Sequence, residues 1–359
     1  MKRHLYILCL AVAITGCGGY GGSSKSGTKG TGGGTTSFAV ISSIGTGIEQ
    51  NQIGDNGLMV GEEGLTLQDG SSAQFAVTQT VGGQPNPLPP GQQGAQKEDD
   101  TVAACVNGNG LIGGFEQNVT SRFGTIPVVW LNDTLTPLNF PVSDTGSFVI
   151  SALNNKGQIV GFSSPTDGVS TVDQSYYWPN SSAKAVPLAP AGLQLLAVND
   201  SGIAVGAIPG TSSAEYFKID LNQTTAATDL HLSVPVSSNQ NVPPRVIVIN
   251  DAGTIALTSG AAHDLIEIDS SGRQSQLAVG AIPVAINSQG DIVGQTDQGR
   301  AFVYTPSKGL LDMNKYVDPN SGIVLQGTLW INARGQVLAF GTAGGQQKEL
   351  LVQLPSGAF

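Results

Sequence analysis

A nine-residue pattern of apolar and polar positions recurs seven times along the chain. Each copy has an aliphatic residue, an Asn that is replaced once by Gly54, two variable residues, a Gly and a short apolar stretch, as in "VNDSGIAVG" from Val198 and "INSQGDIVG" from Ile286. Asn side chains bond to the backbone that follows them, and Gly takes a positive φ without strain. Each copy therefore predicts a type I turn and a left-handed Gly between two strands. The seven predicted structural turn residues are Gly57, Gly110, Gly157, Gly202, Gly253, Gly290 and Gly335.

The segments between these hairpins predict two further strands in each unit. A second apolar or aromatic stretch follows each hairpin, for example at Trp130 and Phe302, and a short stretch ending on Leu comes next in most units. Successive turn glycines are 37 to 53 residues apart, and a repeat of about 40 to 50 residues with four strands has the size of a propeller blade. The predicted fold is therefore all-β: a seven-bladed β-propeller with four short antiparallel strands per blade. An open β-solenoid is the alternative architecture.

The two ends of the repeat region predict how the ring closes. The seventh unit stops at Phe359 after three strands, whereas residues 37–43, "SFAVISS", alternate as a strand does and precede the first hairpin. We expect this N-terminal strand to pair with the strand around residues 350–354 and to remove the edge that an open array would expose. The propeller domain is therefore assigned to residues 37–359.

The first 36 residues predict export and a membrane anchor. Lys2 and Arg3 precede an apolar run, residues 5–14, and small residues follow, so residues 1–16 are predicted to be a signal peptide. The ending "ITGC" resembles the lipobox of bacterial lipoproteins, which implies lipid attachment at Cys17 and, in a host with two membranes, sorting to the outer membrane. An ordinary secretory peptide that carries a Cys is the alternative. Residues 17–36 are rich in Gly and are predicted to be a flexible tether.

Composition narrows the classes of partner. The chain of 359 residues has a formal net charge of −10, only 12% of its residues are charged, and it has no run of Lys and Arg. This is the wrong electrostatic sign for a nucleic-acid partner. No apolar run approaches the roughly 20 residues of a membrane-spanning helix. Cys105 would be the one cysteine of the folded part, and its small apolar neighbours predict a packed core residue.

One unit carries a family resemblance. The phrase "INSQGDIVG" is followed by "GRAFVYTPSKGLLDMN", in which Arg300, Ala301 and Phe302 stand at the place of a His-Ala-Phe signature. This unit resembles the HAF-type extracellular repeat of bacterial exported proteins, and the other six units match its Asn-x-x-Gly half. The resemblance implies an exported repeat protein, and it implies no enzymatic activity, cofactor or catalytic set.

Acidic residues in the turns invite a metal interpretation. Asp55, Asp200 and Asp251 lie beside Asn and Gly, as ligands do in calcium loops. Because other turns carry Lys156 or Arg334, turn geometry explains these residues better, and no metal is expected.

Candidate groups for other chemistry are few. His231 and His263 are the two histidines after the signal peptide, and without a recognisable nucleophile motif both are predicted to lie on the surface. Four glutamates near the inner hairpins are predicted to be solvated, with a catalytic set of carboxylates as the alternative: Glu49, Glu62, Glu63 and Glu116. Three tryptophans are predicted to fill the core, with stacking on sugar rings as the alternative: Trp130, Trp178 and Trp330.

These patterns predict a binding or scaffold module rather than an enzyme. We expect attachment to a membrane through the N-terminal lipid, display outside the cytoplasm, and a protein or glycan partner; no catalysis, cofactor or nucleic acid is expected. The oligomeric state and the binding face stay open. The alternative is a propeller hydrolase or lyase acting on a carbohydrate or lactone, which clustered carboxylates at the central channel would favour.

Overall fold

A computed structural model describes residues 39–43, 48–66, 72–89, 100–117, 124–141, 146–165, 172–210, 213–223, 225–235 and 247–355. It contains 28 strands in seven four-stranded antiparallel sheets, together with two short 3-10 helices, Met313–Lys315 and Pro319–Ser321. The prediction of an all-β, seven-bladed propeller is confirmed. No helix of the described residues is long and apolar enough to cross a membrane. The predicted signal peptide, Cys17 and the tether lie outside the described residues.

The strands follow one another along the chain, four to a blade. The N-terminal strand is β1 (Ala39–Ser43), and blade 1 contains β2 (Ile48–Ile53), β3 (Leu58–Thr66), β4 (Ser72–Thr80) and β5 (Asn86–Pro87). Blade 2 contains β6 (Asp100–Val106), β7 (Ile112–Gln117), β8 (Thr125–Leu131) and β9 (Thr134–Pro137). Blade 3 contains β10 (Ser147–Leu153), β11 (Ile159–Ser164), β12 (Gln174–Trp178) and β13 (Val186–Pro187). Blade 4 contains β14 (Gln194–Val198), β15 (Ile203–Pro209), β16 (Ser213–Asp220) and β17 (Thr228–Pro235).

The remaining three blades repeat this order. Blade 5 contains β18 (Ile247–Ile249), β19 (Ile255–Ser259), β20 (Asp264–Ile268) and β21 (Gln274–Ala278). Blade 6 contains β22 (Ala281–Ile286), β23 (Ile292–Thr296), β24 (Ala301–Thr305) and β25 (Gly309–Asp312). Blade 7 contains β26 (Ile323–Ile331), β27 (Gln336–Ala343) and β28 (Gln346–Gln353), and β1 is its fourth strand.

Ring closure follows the expected pairing. Strand β1 lies antiparallel to β28, with Ala39 opposite Gln353 and Ser43 opposite Leu350. The first strands of neighbouring blades contact one another around the whole ring, including β26 with β2. The chain therefore forms a closed ring around a central channel, and the open solenoid is excluded.

The core lies between the blades. One cluster of buried apolar side chains occupies each of the seven blade junctions. Along the second strand of each blade the side chains alternate between the two neighbouring blades. In β11 of blade 3, Ile159 packs toward blade 2 and Val160 toward blade 4. The indole N–H groups of the fully buried Trp130 and Trp178 donate to the carbonyl oxygens of Pro89 and Asn139 at 2.8 and 2.9 Å.

The hairpin glycines have the backbone that the turn requires. Their φ angles lie between +70° and +85°, for example +80° at Gly202. The N–H of Gly202 donates to the carbonyl of Asn199 at 3.0 Å, and the N–H of Asn199 donates to the carbonyl of Ile203 at 3.0 Å. This is the tight turn with a left-handed Gly that the repeat predicts. All seven turns lie at the same end of the channel, which we call the turn face.

Candidate functional site

The turn asparagines join neighbouring blades. In five of them the side-chain Nδ2 donates to the main-chain carbonyl of the matching turn residue in the next blade. The Oδ1 atom faces the Asn's own turn: in Asn199 it accepts from the N–H groups of Ser201 and Ile203 at 3.1 and 2.9 Å. We call these five bonds the asparagine belt. They are Asn107 to Asn154 (2.9 Å), Asn154 to Asn199 (2.8 Å), Asn199 to Asn250 (3.0 Å), Asn250 to Asn287 (3.1 Å) and Asn332 to Gly54 (3.0 Å). Sequence reasoning assigned Asn to the turn alone and missed the belt.

The residue after the Asn makes a second row of contacts between turns. The N–H of Asp200 donates to a carboxylate oxygen of Asp251 at 2.8 Å, and the N–H of Ala333 donates to Asp55 at 2.7 Å. Asn155 donates in the same way to Asp200 at 2.7 Å. These contacts explain the turn aspartates without a metal ion, and the described residues contain no group of three side chains suited to holding one.

The aspartates place negative charge around the axis. Burial raises the pKa of Asp251, the N–H of Asp200 opposes the rise, and the charges of Asp200 and Asp55 add to it. Asp55 in blade 1 and Asp251 in blade 5 both line the opening at this end of the channel.

The inner strands enclose a cavity at this end of the channel. It has a volume of about 130 Å³, is lined by the last residues of the seven first strands and their turns, and is polar. We call it the turn-face mouth. Among the described residues Trp330 is the one aromatic residue in its lining; it is half-buried and also packs against the core clusters on both sides of blade 7.

Three backbone N–H groups at the turn-face mouth lack the side-chain acceptor used elsewhere in the second row. They belong to Asp55, Asp251 and Ser288. Within the described residues, the next turn carries Gly108, Ser288 and Ala333, respectively, at the position where the other turns carry an Asp or Asn that accepts the hydrogen bond. The mouth therefore combines hydrogen-bond donors, carboxylate acceptors and one aromatic surface, which together suit a ligand rich in hydroxyl or amide groups.

A second polar feature lies near the other end of the channel, where the first strands begin. Glu49 on β2 lies opposite Glu62 on β3, and Glu349 on β28 accepts a hydrogen bond from the N–H of Gln50 at 2.9 Å. We call Glu49, Glu62 and Glu349 the seam cluster. Burial raises the pKa of Glu62 to about 7, and the charges of Glu49 and Asp100 add to the rise.

Burial also acts on Glu349, the third member of the seam cluster. Burial raises the pKa of Glu349 to about 8, the N–H of Gln50 opposes the rise, and the charges of Glu49 and Glu62 add to it. Burial also raises the pKa of Glu49. Near neutral pH the cluster therefore retains protons that exposed glutamates would release.

Several surface expectations need correction. Glu116 is 7% exposed and His263 is 8% exposed, so neither is the solvated residue that sequence reasoning predicted. His263 has φ +52° and bonds through Nδ1 to Asp297 at 2.7 Å. His231 does lie on the surface. Glu63 is half-buried.

The predictions for the tryptophans and for Cys105 agree better with the structure. Trp130 and Trp178 are fully buried in the core, as predicted, and Trp330 is half-buried, packs against the core clusters on both sides of blade 7 and also lines the turn-face mouth. Cys105 is a buried core residue, and its Sγ lies 3.7 Å from the carbonyl oxygen of Gly113. Sequence reasoning missed Glu349 altogether, because it lies in the last strand, 299 residues from its partner Gln50.

Comparison with known proteins defines the class as a seven-bladed β-propeller. No protein-family model and no curated protein sequence matches the chain. Among solved structures, YCF48 bound to a D1 peptide is similar with a TM-score of 0.54 and 13% identity over 89% of this chain and 97% of that one. A puromycin-hydrolyzing peptidase from Mycobacterium tuberculosis has a TM-score of 0.54 and 10% identity over 90% of this chain and 55% of that one.

A further similar structure comes from a study of two prolyl endopeptidases. Its TM-score is 0.53 and its identity 10%, over 89% of this chain and 50% of that one. This chain thus spans about half the length of the two peptidases and nearly the full length of YCF48. At these identities the similarity establishes the fold alone.

Proposed function

We propose that this protein is a lipid-anchored binding module outside the cytoplasm, which holds a protein or glycan partner at the turn-face mouth and performs no catalysis. The observation that carries the proposal is the mouth itself: a polar cavity on the axis, lined by all seven blades, with Trp330 in its wall and three N–H groups without their usual acceptors. Such groups bind hydroxyls and amides, and an aromatic ring adds an apolar surface for a sugar ring or a side chain.

The similar structures are compatible with this role. YCF48 is a chain of nearly the same extent, and its structure contains a bound peptide. A propeller of this size therefore suffices, without a second domain, to hold a peptide ligand.

The N-terminal sequence and one repeat unit support the proposed location. The "ITGC" ending at Cys17 resembles a lipobox, and the "GRAFVYTP" unit resembles a HAF-type repeat of exported bacterial proteins. A lipid with two or three acyl chains holds a protein on a membrane stably, whereas a single chain does not. Replacing Cys17 by Ala in the producing cell should move the protein from the membrane fraction to the soluble fraction. Unchanged membrane retention of Cys17→Ala would contradict the anchor.

Tryptophan fluorescence tests the binding site. Trp130 and Trp178 are fully buried and Trp330 alone lines the mouth. The full-length protein in detergent is titrated with glucose and N-acetylglucosamine oligosaccharides and, separately, with unstructured peptides, and binding is also measured by calorimetry. We expect an emission change on binding that is lost in Trp330→Phe, while the emission of the two buried tryptophans stays constant.

Two outcomes would contradict the proposal. An emission change that persists in Trp330→Phe would place the ligand outside the mouth. Ligands recovered from the binding mixture in cleaved form, as measured by mass spectrometry, would mean that the protein is an enzyme.

A second candidate is a hydrolase or lyase acting on carbohydrate or lactone. The seam cluster favours it, because Glu62 with a pKa of about 7 could donate a proton at neutral pH, and Glu49 lies opposite it on the neighbouring strand. Turnover of glycosides or lactones that disappears in Glu62→Gln and persists in Trp330→Phe would support this candidate. No turnover over pH 5 to 9 would remove it.

A further inference from the structure

The junction of blades 1 and 2 interrupts both rows of contacts at the turn-face mouth. Gly54 lies where each of the other six blades carries the Asn that opens its turn, and Gly108 lies where each of the other turns carries a residue with a side chain. This is the one junction at which both positions lack a side chain. We call the gap between Gly54 and Gly108 the blade 1–2 notch, and both glycines line the mouth.

Two backbone groups beside the notch lack the partner that their equivalents have. The carbonyl oxygen of Asn107 accepts from the N–H of Gly110 in its own turn at 3.1 Å and has no donor from blade 1 among the described residues. The matching carbonyl of Asn154 accepts from its own turn and also from Nδ2 of Asn107 at 2.9 Å. The N–H of Asp55 has no acceptor in blade 2, because Gly108 has no side chain. The notch therefore offers one acceptor and one donor.

Gln52 adds a donor from a buried side chain. Gln52 is 9% exposed and lines the mouth. Its Oε1 accepts from the N–H of Val106 at 2.7 Å across the same junction, whereas its Nε2 makes no hydrogen bond among the described residues. The other six blades carry no amide side chain two residues before the position that opens the turn. Because buried polar groups are seldom left without a partner, Nε2 of Gln52 indicates an acceptor that enters the cavity.

The notch has close walls. A Cβ on Gly54 would lie 3.4 Å from Cγ1 of Val106, and a Cβ on Gly108 would lie 3.0 Å from Oδ1 of Asn155. A gap of this width admits a slim, unbranched side chain more readily than a sugar ring. Every blade also contributes an aliphatic residue to the lining of the mouth, among them Ile53 and Val106 beside the notch. The methylene groups of an entering side chain therefore meet apolar surface.

We propose that the blade 1–2 notch binds the carboxamide of an Asn or Gln side chain of a protein partner. The inference rests on the proposed binding role of the turn-face mouth and names the group that enters it. The amide nitrogen of the partner donates to the carbonyl oxygen of Asn107, as a belt asparagine does at other junctions. Its amide oxygen has two lone pairs, for the N–H of Asp55 and for Nε2 of Gln52.

Other groups do not match the notch in this way. A carboxylate has no donor for the carbonyl oxygen of Asn107, and an ammonium group has no acceptor for the N–H of Asp55. A carboxamide has both, because it is the same group that the missing Asn side chain would supply. The partner thus completes the two rows at the junction where this chain has Gly54 and Gly108.

Calorimetry with the full-length protein in detergent tests the notch. The probes are pentapeptides with a central Asn, Gln, Leu or Asp between pairs of glycines, blocked as the N-acetyl and C-terminal N-methylamide forms. We expect the Asn or the Gln peptide to bind about tenfold or more tightly than the Leu and Asp peptides, because only the carboxamide makes the hydrogen bonds of the notch. In Gly54→Asn, whose own side chain fills the notch, this preference should fall to within about twofold.

Two further variants serve as control and as replacement. Ala252→Asn adds the same side chain at an exposed turn position outside the lining of the mouth, and it should keep the wild-type preference. A Cβ on Gly54 would lie 2.9 Å from Oδ1 of Asn56, which must move in Gly54→Asn. If that variant does not fold, Gly108→Asn fills the notch from blade 2 with the residue that blade 3 carries at this position, and it should remove the preference in the same way.

The outcomes separate the notch from the mouth. Peptides that bind with equal affinity, and whose binding is lost in Trp330→Phe, would overturn the notch and leave the mouth as the binding site. A preference for the carboxamide that persists in Gly54→Asn or Gly108→Asn would also overturn the notch. An N-acetylglucosamine tetrasaccharide that binds more tightly than every peptide, and is displaced by Gly54→Asn, would overturn the assignment to a protein. No binding of any of these probes would overturn the notch and the proposed function together.

Discussion

Removal of one belt asparagine should destabilise the whole ring by a predictable amount. Asn199 is 3% exposed and makes three hydrogen bonds: its Oδ1 accepts from Ser201 and Ile203, and its Nδ2 donates to the carbonyl of Asn250. At about 1 kcal/mol net for each bond, Asn199→Ala should lower the free energy of unfolding by about 3 kcal/mol. For a domain of this size, that corresponds to a decrease in Tm of about 4 to 5 °C.

Urea denaturation at pH 7 is the assay, with an exposed asparagine as the control. Asn320 lies on the surface, and within the described part of the chain only its backbone N–H takes part in a hydrogen bond, to Asp318. Asn320→Ala should change stability by no more than about 0.5 kcal/mol. If Asn199→Ala and Asn320→Ala shift the unfolding midpoint equally, the belt does not stabilise the ring and the reasoning fails.

Two further predictions concern pH and backbone strain. The pKa values of Glu62 and Glu349 rise from 4.5 to about 7 and about 8 on folding, so the folded state binds more protons than the unfolded state. The free energy of unfolding should therefore fall as pH rises from about 4.5 to 8. Urea midpoints at pH 5, 7 and 9 should show this fall in the wild type and a shallower fall in Glu349→Gln. Gly110 and Gly202 have φ of +81° and +80°, but a Cβ would meet nothing within 4 Å at Gly110 and Nδ2 of Asn222 at 2.5 Å at Gly202. Thermal unfolding should give a loss of about 1 kcal/mol for Gly110→Ala and a larger loss for Gly202→Ala, because the exposed Asn222 must turn away and give up its hydrogen bond to the carbonyl of Ser201. Equal losses would mean that Asn222 moves at no cost.

The fold could be predicted because its determinants are local. A Gly at the fourth position of a turn specifies a left-handed backbone by itself, and seven such turns at blade spacing specify seven hairpins. Ring closure followed from counting strands, since the last unit lacked one and residues 37–43 supplied it. No knowledge of distant contacts was needed for either step.

The polar contacts between blades could not be predicted, because they join residues far apart in the sequence. The Nδ2 of Asn332 reaches Gly54 across 278 positions, and Glu349 reaches Gln50 across 299. A rule that charged residues are solvated then misplaced Glu116, which is buried in β7. Register between blades, which a single sequence does not reveal, decides which glutamates meet.

The one turn in which the Asn is replaced shows how closely its neighbours compensate. Gly54 has no side chain to donate to blade 2, and a Cβ there would lie 3.3 Å from the carbonyl oxygen of Asn107 and 2.9 Å from Oδ1 of Asn56. Oε1 of Gln52 accepts instead from the N–H of Val106 at 2.7 Å, which restores a bond between these blades. Oδ1 of Asn56 accepts from the N–H of Leu58 at 2.9 Å, the bond that a belt asparagine makes to its own turn. Because both functions of the missing Asn are performed by adjacent side chains, the turn tolerates its loss, whereas its Gly has no substitute in any of the seven copies.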